Sequence, residues 1–218
     1  MARFRRLVVP GHPHHITQRG VRRQTTFFDD HDYRRYIRLA QKMLPEASLK
    51  ILAYCLMPNH IHAVVVPENE TSLAAFFGPL HKAYAQHTNL RYEWAGHLWQ
   101  ARYFSVPLDE SHTLAAMRYV ELNPVRSKLA LRPQDWQWSS ARGNLNLLED
   151  PLTPGRPALK IVSEWAAYLS TSLSDELLDT LRLQTRTGRP DGNPSFINEV
   201  ESLTGRHIRR QRAGRKRK

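Results

Sequence analysis

The chain has a single cysteine, Cys55, among its 218 residues. One thiol closes no intrachain disulfide, so a disulfide scaffold is excluded, and the apolar run around Cys55 is an ordinary place for a buried thiol. Long hydrophobic runs are absent as well. None nears the roughly 18 residues of a membrane span, and the opening Met1 to Arg6 lacks the apolar segment of a secretory signal. A cytoplasmic protein without a membrane partner is the expectation. No internal repeat is visible.

Acidic residues are also scarce, 20 Asp and Glu against 32 Lys and Arg, which leaves a net charge of +12. The shortage is local. Residues 1–42 carry ten Lys/Arg against three Asp/Glu, residues 206–218 carry eight against none, and the stretch between them is slightly acidic at 14 against 17. Basic ends around a balanced centre suit contact with a polyanion, the centre supplying fold and chemistry. Residues 206–218, with Arg209 and Arg210, are expected to be a disordered tail that neutralises phosphates without reading sequence.

The length and the 41% hydrophobic content suit one substantial core with extensions. His14 to Arg19 reads as a strand, and Asp29 or Asp30 caps a helix that runs to about Leu44, where Pro45 stops it. Leu49 to Cys55 and His60 to Val66 form a hairpin around Met57-Pro58-Asn59. Ser72 is the expected cap of a helix to about His87, which Gly78-Pro79 should bend or interrupt. Trp99 to Pro107 reads as a fourth strand, and Leu114 to Leu122 as a helix ended by Asn123-Pro124. This order predicts an α+β, ferredoxin-like (split βαβ) fold, an antiparallel four-stranded sheet with helices on one face. It fills residues 1–150. Residues 151–205 read as a linker and a mostly helical extension, with helical material from Ile161 to Leu183 and a last helix near Ser195 to Leu203.

Two features carry chemistry. His60 and His62 are separated by one residue in a strand, so their imidazoles project from one face and can hold one metal ion. Two ligands are not a site, and buried histidines are often only hydrogen-bonded. His12, His14 and His15 also lie close together, with nothing around them that resembles a buried strand. Tyr119 and Asn123 are one helical turn apart and share a helix face, although a lone Tyr there is more often a packing residue. For a nucleic-acid partner, Arg19, Arg22 and Arg23 offer three guanidiniums on one turn, and Trp99, Gln100 and Arg102 interleave aromatic, amide and basic side chains. Trp136 and Trp138 read as packing residues.

His60-Ile61-His62 matches the His-hydrophobic-His motif of the HUH nucleases. With Met57-Pro58-Asn59 before it, Leu98-Trp99-Gln100 after it, and Arg118 to Arg126 further on, the chain resembles the single-tyrosine transposases. It is most similar to their REP-associated branch, whose first strand resembles His14 to Gly20. The resemblance spans roughly residues 4–142. It implies that Tyr119 attacks a backbone phosphorus of single-stranded DNA and forms a 5'-phosphotyrosyl enzyme, which allows strands to be cut and rejoined without ATP. It implies Mg²⁺ or Mn²⁺ held by His60 and His62, with Asn123 as third donor where the wider family has Gln. The implied DNA is a hairpin with a short single-stranded foot beside it, bound by a monomer without an obligate protein partner and located at the nucleoid. Two other readings stay open: a catalytically silent hairpin-binding protein, and a phosphodiesterase that uses water as nucleophile.

Overall fold

The computed structural model describes residues 6–171 and 174–209. Its centre is a four-stranded sheet, β1 (His14–Arg19), β2 (Leu49–Met57), β3 (His60–Pro67) and β4 (Phe104–Pro107), in the order β2-β3-β1-β4 with every pair antiparallel. That is the ferredoxin-like order. Helices α1 (Asp30–Met43) and α2 (Ser72–Arg91) cover one face. Asp29 caps α1 by accepting from the Asp32 amide at 3.1 Å, and Tyr33, Tyr36 and Ala40 bury the inner stripe. In α2 the buried Leu73, Phe76, Phe77, Leu80 and Tyr84 carry the helix through Gly78-Pro79 without a break, so packing outweighs the bond that Pro79 cannot donate. Its N-cap is Thr71, while Ser72 is already helical and its hydroxyl accepts from the Asn69 amide.

The opposite face is covered by α3 (Glu110–Glu121) and the C-terminal residues. A bulge between Ile51 and Ala53 makes this possible, because it switches the phase of β2. Before it, Leu49 and Ile51 join the α1/α2 core; after it, Tyr54 and Leu56 do so, while Ala53, Cys55 and Met57 turn to the α3 side. Helix α3 starts at Glu110 rather than Leu114, because Asp109 accepts from the His112 amide at 2.8 Å and caps it. The chain then turns at Leu122 into α4 (Asn123–Arg126), with Pro124 in its first turn, where a missing N–H costs nothing.

The extension is not an appendage. After α5 (Ala141–Asn144), the expected helical stretch 161–183 divides into α6 (Pro157–Ile161), α7 (Trp165–Ser170) and α8 (Asp175–Thr187), since Pro157 and Ser174 each start a new helix. Trp165, Leu169 and Leu181 share one core with Cys55, Val64 and Val120. Helix α9 (Pro194–Thr204) buries Phe196, Ile197 and Val200 against Leu7 and Val9, and Ile208 completes this small cluster. Residues 206–209 are therefore anchored rather than a free tail. The Ile208 amide donates to Glu201, and Arg209 pairs with the same carboxylate at 3.1 Å. Arg210 and the rest of the expected tail lie outside the described residues. Among those described, no helix is long and apolar enough to cross a membrane.

Glu121, at the end of α3, is fully buried and accepts from Ser140 Oγ at 2.6 Å, Asn144 Nδ2 at 2.6 Å and Trp165 Nε1 at 2.8 Å. Burial pushes its carboxyl above the usual range, while the three donors pull the other way. Glu121→Ala would leave the Trp165 N–H and one Asn144 N–H unanswered, while Ser140 and the other Asn144 N–H keep the Tyr54 and Leu52 carbonyls. Urea denaturation is expected to show a loss of about 2–4 kcal/mol; a change under about 0.5 kcal/mol, the range of an ordinary surface substitution, would contradict this role.

Candidate active site

The pairing of β1 with β3 assembles the site. Thr17 lies opposite His62 and Arg19 opposite His60, so all four project from the α3 face. Tyr119 reaches that face from the inner side of α3, its ring 5.7 Å from that of His62. His60, His62, Tyr119, Arg19, Arg23 and Gln100 line one cavity of about 490 Å³. Thr17, Gln18, Phe104 and three α8 residues, Arg182, Thr185 and Arg186, complete the wall.

The two imidazoles are held in the same manner. His60 Nδ1 meets the side-chain oxygen of Asn59 at 2.6 Å, and His62 Nδ1 meets His15 Nε2 at 2.9 Å. In both rings the outer nitrogen is engaged and Nε2 is left for a ligand, the arrangement that metal-binding histidines adopt. Both are neutral. Burial, then the nearby Arg19 and Arg23, pushes His60 down to about 3; burial and the adjacent His60 hold His62 well below the ordinary value. Neutral imidazole is the form that binds a cation.

Asn123 does not line this cavity. It is buried, Ser127 Oγ approaches its Oδ1 at 3.5 Å, and its Nδ2 has no hydrogen-bond partner. Turning the amide over exchanges the two atoms and leaves the carbonyl oxygen unpartnered instead. Among the described residues the cavity supplies two imidazoles, so a bound Mn²⁺ or Mg²⁺ would take its oxygen donors from water or phosphate. A second cluster, His31, Asp32 and His87, also brings potential ligand atoms within 4.8 Å of one another. It suits a cation poorly, since Arg91 already pairs with Asp32 at 2.7 Å and touches His31.

Arginines surround Tyr119. The Arg126 guanidinium stacks over its ring at 3.9 Å, and Arg182 hydrogen-bonds to its side chain. On the other side, the Arg19 to Gln24 turn is tightly held. A Cβ on Gly20 would lie 2.5 Å from the Gln24 carbonyl oxygen and 2.7 Å from a Thr26 methyl. Arg22 and Arg23 both adopt left-handed backbone, at φ 53° and 62°. Asn59 Nδ2 donates to the Arg23 carbonyl at 2.9 Å, so one side chain ties the arginine turn to His60.

Of the remaining expected residues, Trp99 and Arg102 lie beside Gln100 and the others stand apart. Trp99 is half-buried: its Nε1 donates to the His81 carbonyl and its ring packs near His81 and Tyr84, while it also lines a neighbouring cavity with Gln100 and Arg102. The expected strand 99–107 shortens to β4, because Trp99 turns inward and keeps only a bridge to Gly20. Arg102 is exposed beside a neighbouring cavity that shares Gln18 and Gln100 with the first. Arg22 is exposed on its turn, and Arg209 belongs to the α9 cluster. Trp136 and Trp138 pack against the core as expected. Sequence reasoning missed His15, Asn59, Arg126 and Arg182. Only Asn59, next to His60 in the hairpin turn, carried a local signal; His14 and His15, set aside as a loose histidine group, are both buried in β1.

Residues 9–123 match the family model for IS200-like transposases. A REP-associated tyrosine transposase, solved bound to a REP hairpin, shares the fold at TM-score 0.55 and 18% identity, over 72% of this chain and 93% of that one. A transposase candidate from Deinococcus radiodurans R1 overlaps less closely, at TM-score 0.37 and 19% identity, over 56% of this chain and 96% of that one. No curated protein matches the chain in sequence.

Two outcomes are expected of the isolated protein. Burial lowers His14 and His15 to about 4 and His81 to about 3, so the unfolded chain binds more protons below about 6.5, the ordinary histidine value. Their contribution to stability is full above 6.5 and is lost as pH falls toward 4 and then 3. The urea midpoint should therefore drop between pH 7.5 and pH 5; an unchanged or rising midpoint would contradict neutral burial. Gly20→Ala should cost about 1–3 kcal/mol through overpacking, read as a lowered melting temperature, and a variant as stable as the parent would mean the turn has room.

Proposed function

The chain belongs to the IS200-like transposase family, and we propose that it cleaves and rejoins single-stranded DNA beside hairpins of the REP type, with Tyr119 as nucleophile. The observation that carries this reading is the shared cavity, where a phenol from α3 meets two neutral imidazoles from β3 among four arginines. Tyr119 Oη attacks phosphorus, the bond from phosphorus to the 3'-oxygen breaks, and that oxygen leaves as a 3'-hydroxyl after taking up a proton. The 5'-phosphate stays on the tyrosine. Attack by a 3'-hydroxyl on this ester reverses the step, so the phosphodiester energy is conserved.

His60 and His62 would hold Mg²⁺ or Mn²⁺, which would polarise a non-bridging phosphate oxygen and offset charge developing on phosphorus; Asn123, outside the cavity wall, would have to move to serve as the third donor. The chain's own residues do the rest. Arg19, Arg23, Arg182 and Arg186 draw a phosphate into the cavity. Arg126 fixes the Tyr119 ring by stacking, and Arg182 holds its side chain. The neighbouring cavity beside Gln100 and Arg102 is the place for unpaired foot bases. The duplex stem suits the basic ends, since residues 6–9 and 196–208 pack together and Arg206 donates to the Arg6 carbonyl.

Incubation with a labelled hairpin and foot oligonucleotide in Mn²⁺ should yield a covalent adduct that survives denaturation. Tyr119→Phe should bind the oligonucleotide within a few-fold of the parent and form no adduct. An adduct that persists in Tyr119→Phe sinks the nucleophile assignment. Tight binding with no adduct in either Mg²⁺ or Mn²⁺ would make the protein a silent hairpin binder, and free 5'-phosphate made without Tyr119 would point to water as nucleophile.

A further inference from the structure

His15 has no place in the chemistry above, yet it is buried, and its Nε2 lies 2.9 Å from His62 Nδ1. The ring stacks on His62 at 5.2 Å between centroids and meets the Tyr119 ring at 6.1 Å. Its other nitrogen, Nδ1, faces Thr185 Oγ1 of α8 at the long distance of 3.4 Å. The Thr185 hydroxyl in turn donates to the Leu181 carbonyl at 2.8 Å.

The shorter of the two Thr185 contacts, 2.8 Å against 3.4 Å, selects the direction of donation. The Thr185 hydroxyl has one proton and spends it on the Leu181 carbonyl, which can only accept. Toward His15 the hydroxyl therefore offers a lone pair, so His15 carries its proton on Nδ1 and has a bare Nε2. That nitrogen accepts from His62, which places the His62 proton on Nδ1 and leaves His62 Nε2 free to bind an ion. The reverse direction would protonate His62 Nε2 and set two lone pairs, His15 Nδ1 and Thr185 Oγ1, against each other.

We propose that His15 is a positioning residue that holds His62 in the tautomer able to ligate a cation, and that Thr185 of α8 sets the direction, so that the C-terminal extension tunes the affinity of the two-histidine site. The inference rests on His60 and His62 being the metal pair. A second shell of this kind is worth about 10- to 100-fold in affinity. It also makes α8 more than a cover for the sheet.

The test has two readouts on the full chain. Nitrogen-15 histidine spectra of the metal-free protein should show His62 protonated on Nδ1 and His15 on Nδ1. In titrations with Mn²⁺ alone, His15→Phe should bind about 10- to 100-fold more weakly than the parent. Thr185→Val, close in shape, should weaken binding in the same direction and mix the tautomers, while Thr185→Ser, which keeps the hydroxyl, should restore both. Parent affinity and a single unchanged tautomer in Thr185→Val overturn the proposal, even if His15→Phe fails to fold. Affinity that depends on His62 but not on His15 overturns it while sparing the metal pair. A parent that binds no Mn²⁺, or His62→Ala that binds as well as the parent, overturns the metal pair and the proposal together.

Discussion

The site depends on the register of the two central strands. With β1 against β3 as observed, His15, Thr17 and Arg19 fall on the same face as His60 and His62. A slip of β1 by one residue would send His15, Thr17 and Arg19 into the α1/α2 core and bring Ile16 out to the cavity, and the same slip of β3 would exchange His60 and His62 for Ile61 and Ala63. The penalty for that exchange fixes the register. Ile16 and Ile61 are buried among Tyr33, Phe76, Phe77 and Tyr84, and polar side chains in their places would lose both the apolar burial and their own partners. Hydrophobic burial on one face thus locates the polar chemistry on the other. The bulge in β2 serves the same end, since it places Cys55 and Met57 rather than Tyr54 and Leu56 beneath the histidine strand.

The nucleophile is fixed by a different means. Tyr119 rides on α3, and two residues later Glu121 ties the helix to α5 through Ser140 and Asn144 and to α7 through Trp165. A buried carboxylate with no cation among these partners contributes little net stability, but it is specific, because only a small set of helix positions satisfies three donors at once. Arg118 adds to this by donating to the Tyr168 carbonyl and stacking on that ring. Residues beyond 150 therefore help to fix the helix that carries the phenol. They form part of the same folding unit as the sheet.

Much of this was legible in the sequence, for reasons that differ by element. Period-two alternation exposed β3, Asp29 marked the start of α1, and the His-x-His spacing needed only strand geometry to put two imidazoles together. Tyr119 and Asn123 are expected on one helix face, but the turn at Leu122 starts a new helix at Asn123, and the cavity wall omits it. Patterns of hydrophobicity could not show β1 as buried, because its inward residues on the site face are His15, Thr17 and Arg19. Trp99 lines one cavity with Gln100 and Arg102, as their interleaving suggests, while its N–H is held by a carbonyl in α2 that no local spacing encodes. Arg126 and Arg182 meet Tyr119 only through the fold, and no local spacing encodes a contact between α3 and α8.

The chemistry of the cavity wall explains why contacts behind the ligands matter. Among the described residues four arginines line it and no carboxylate does, so its field attracts phosphate and opposes a bare cation. A cation bound there has neutral ligands only, and no acidic side chain of the wall contributes charge to hold it. The remaining levers are the direction, tautomer and basicity of the two imidazoles. Asn59 acts on His60 and His15 acts on His62, each through Nδ1, and both are fixed by neighbours outside β3: Asn59 by the Arg23 carbonyl, His15 by Thr185 of α8. A wall rich in guanidinium can therefore take the anionic strand first and still present two lone pairs to a metal, because those lone pairs are aimed by hydrogen bonds rather than drawn by charge.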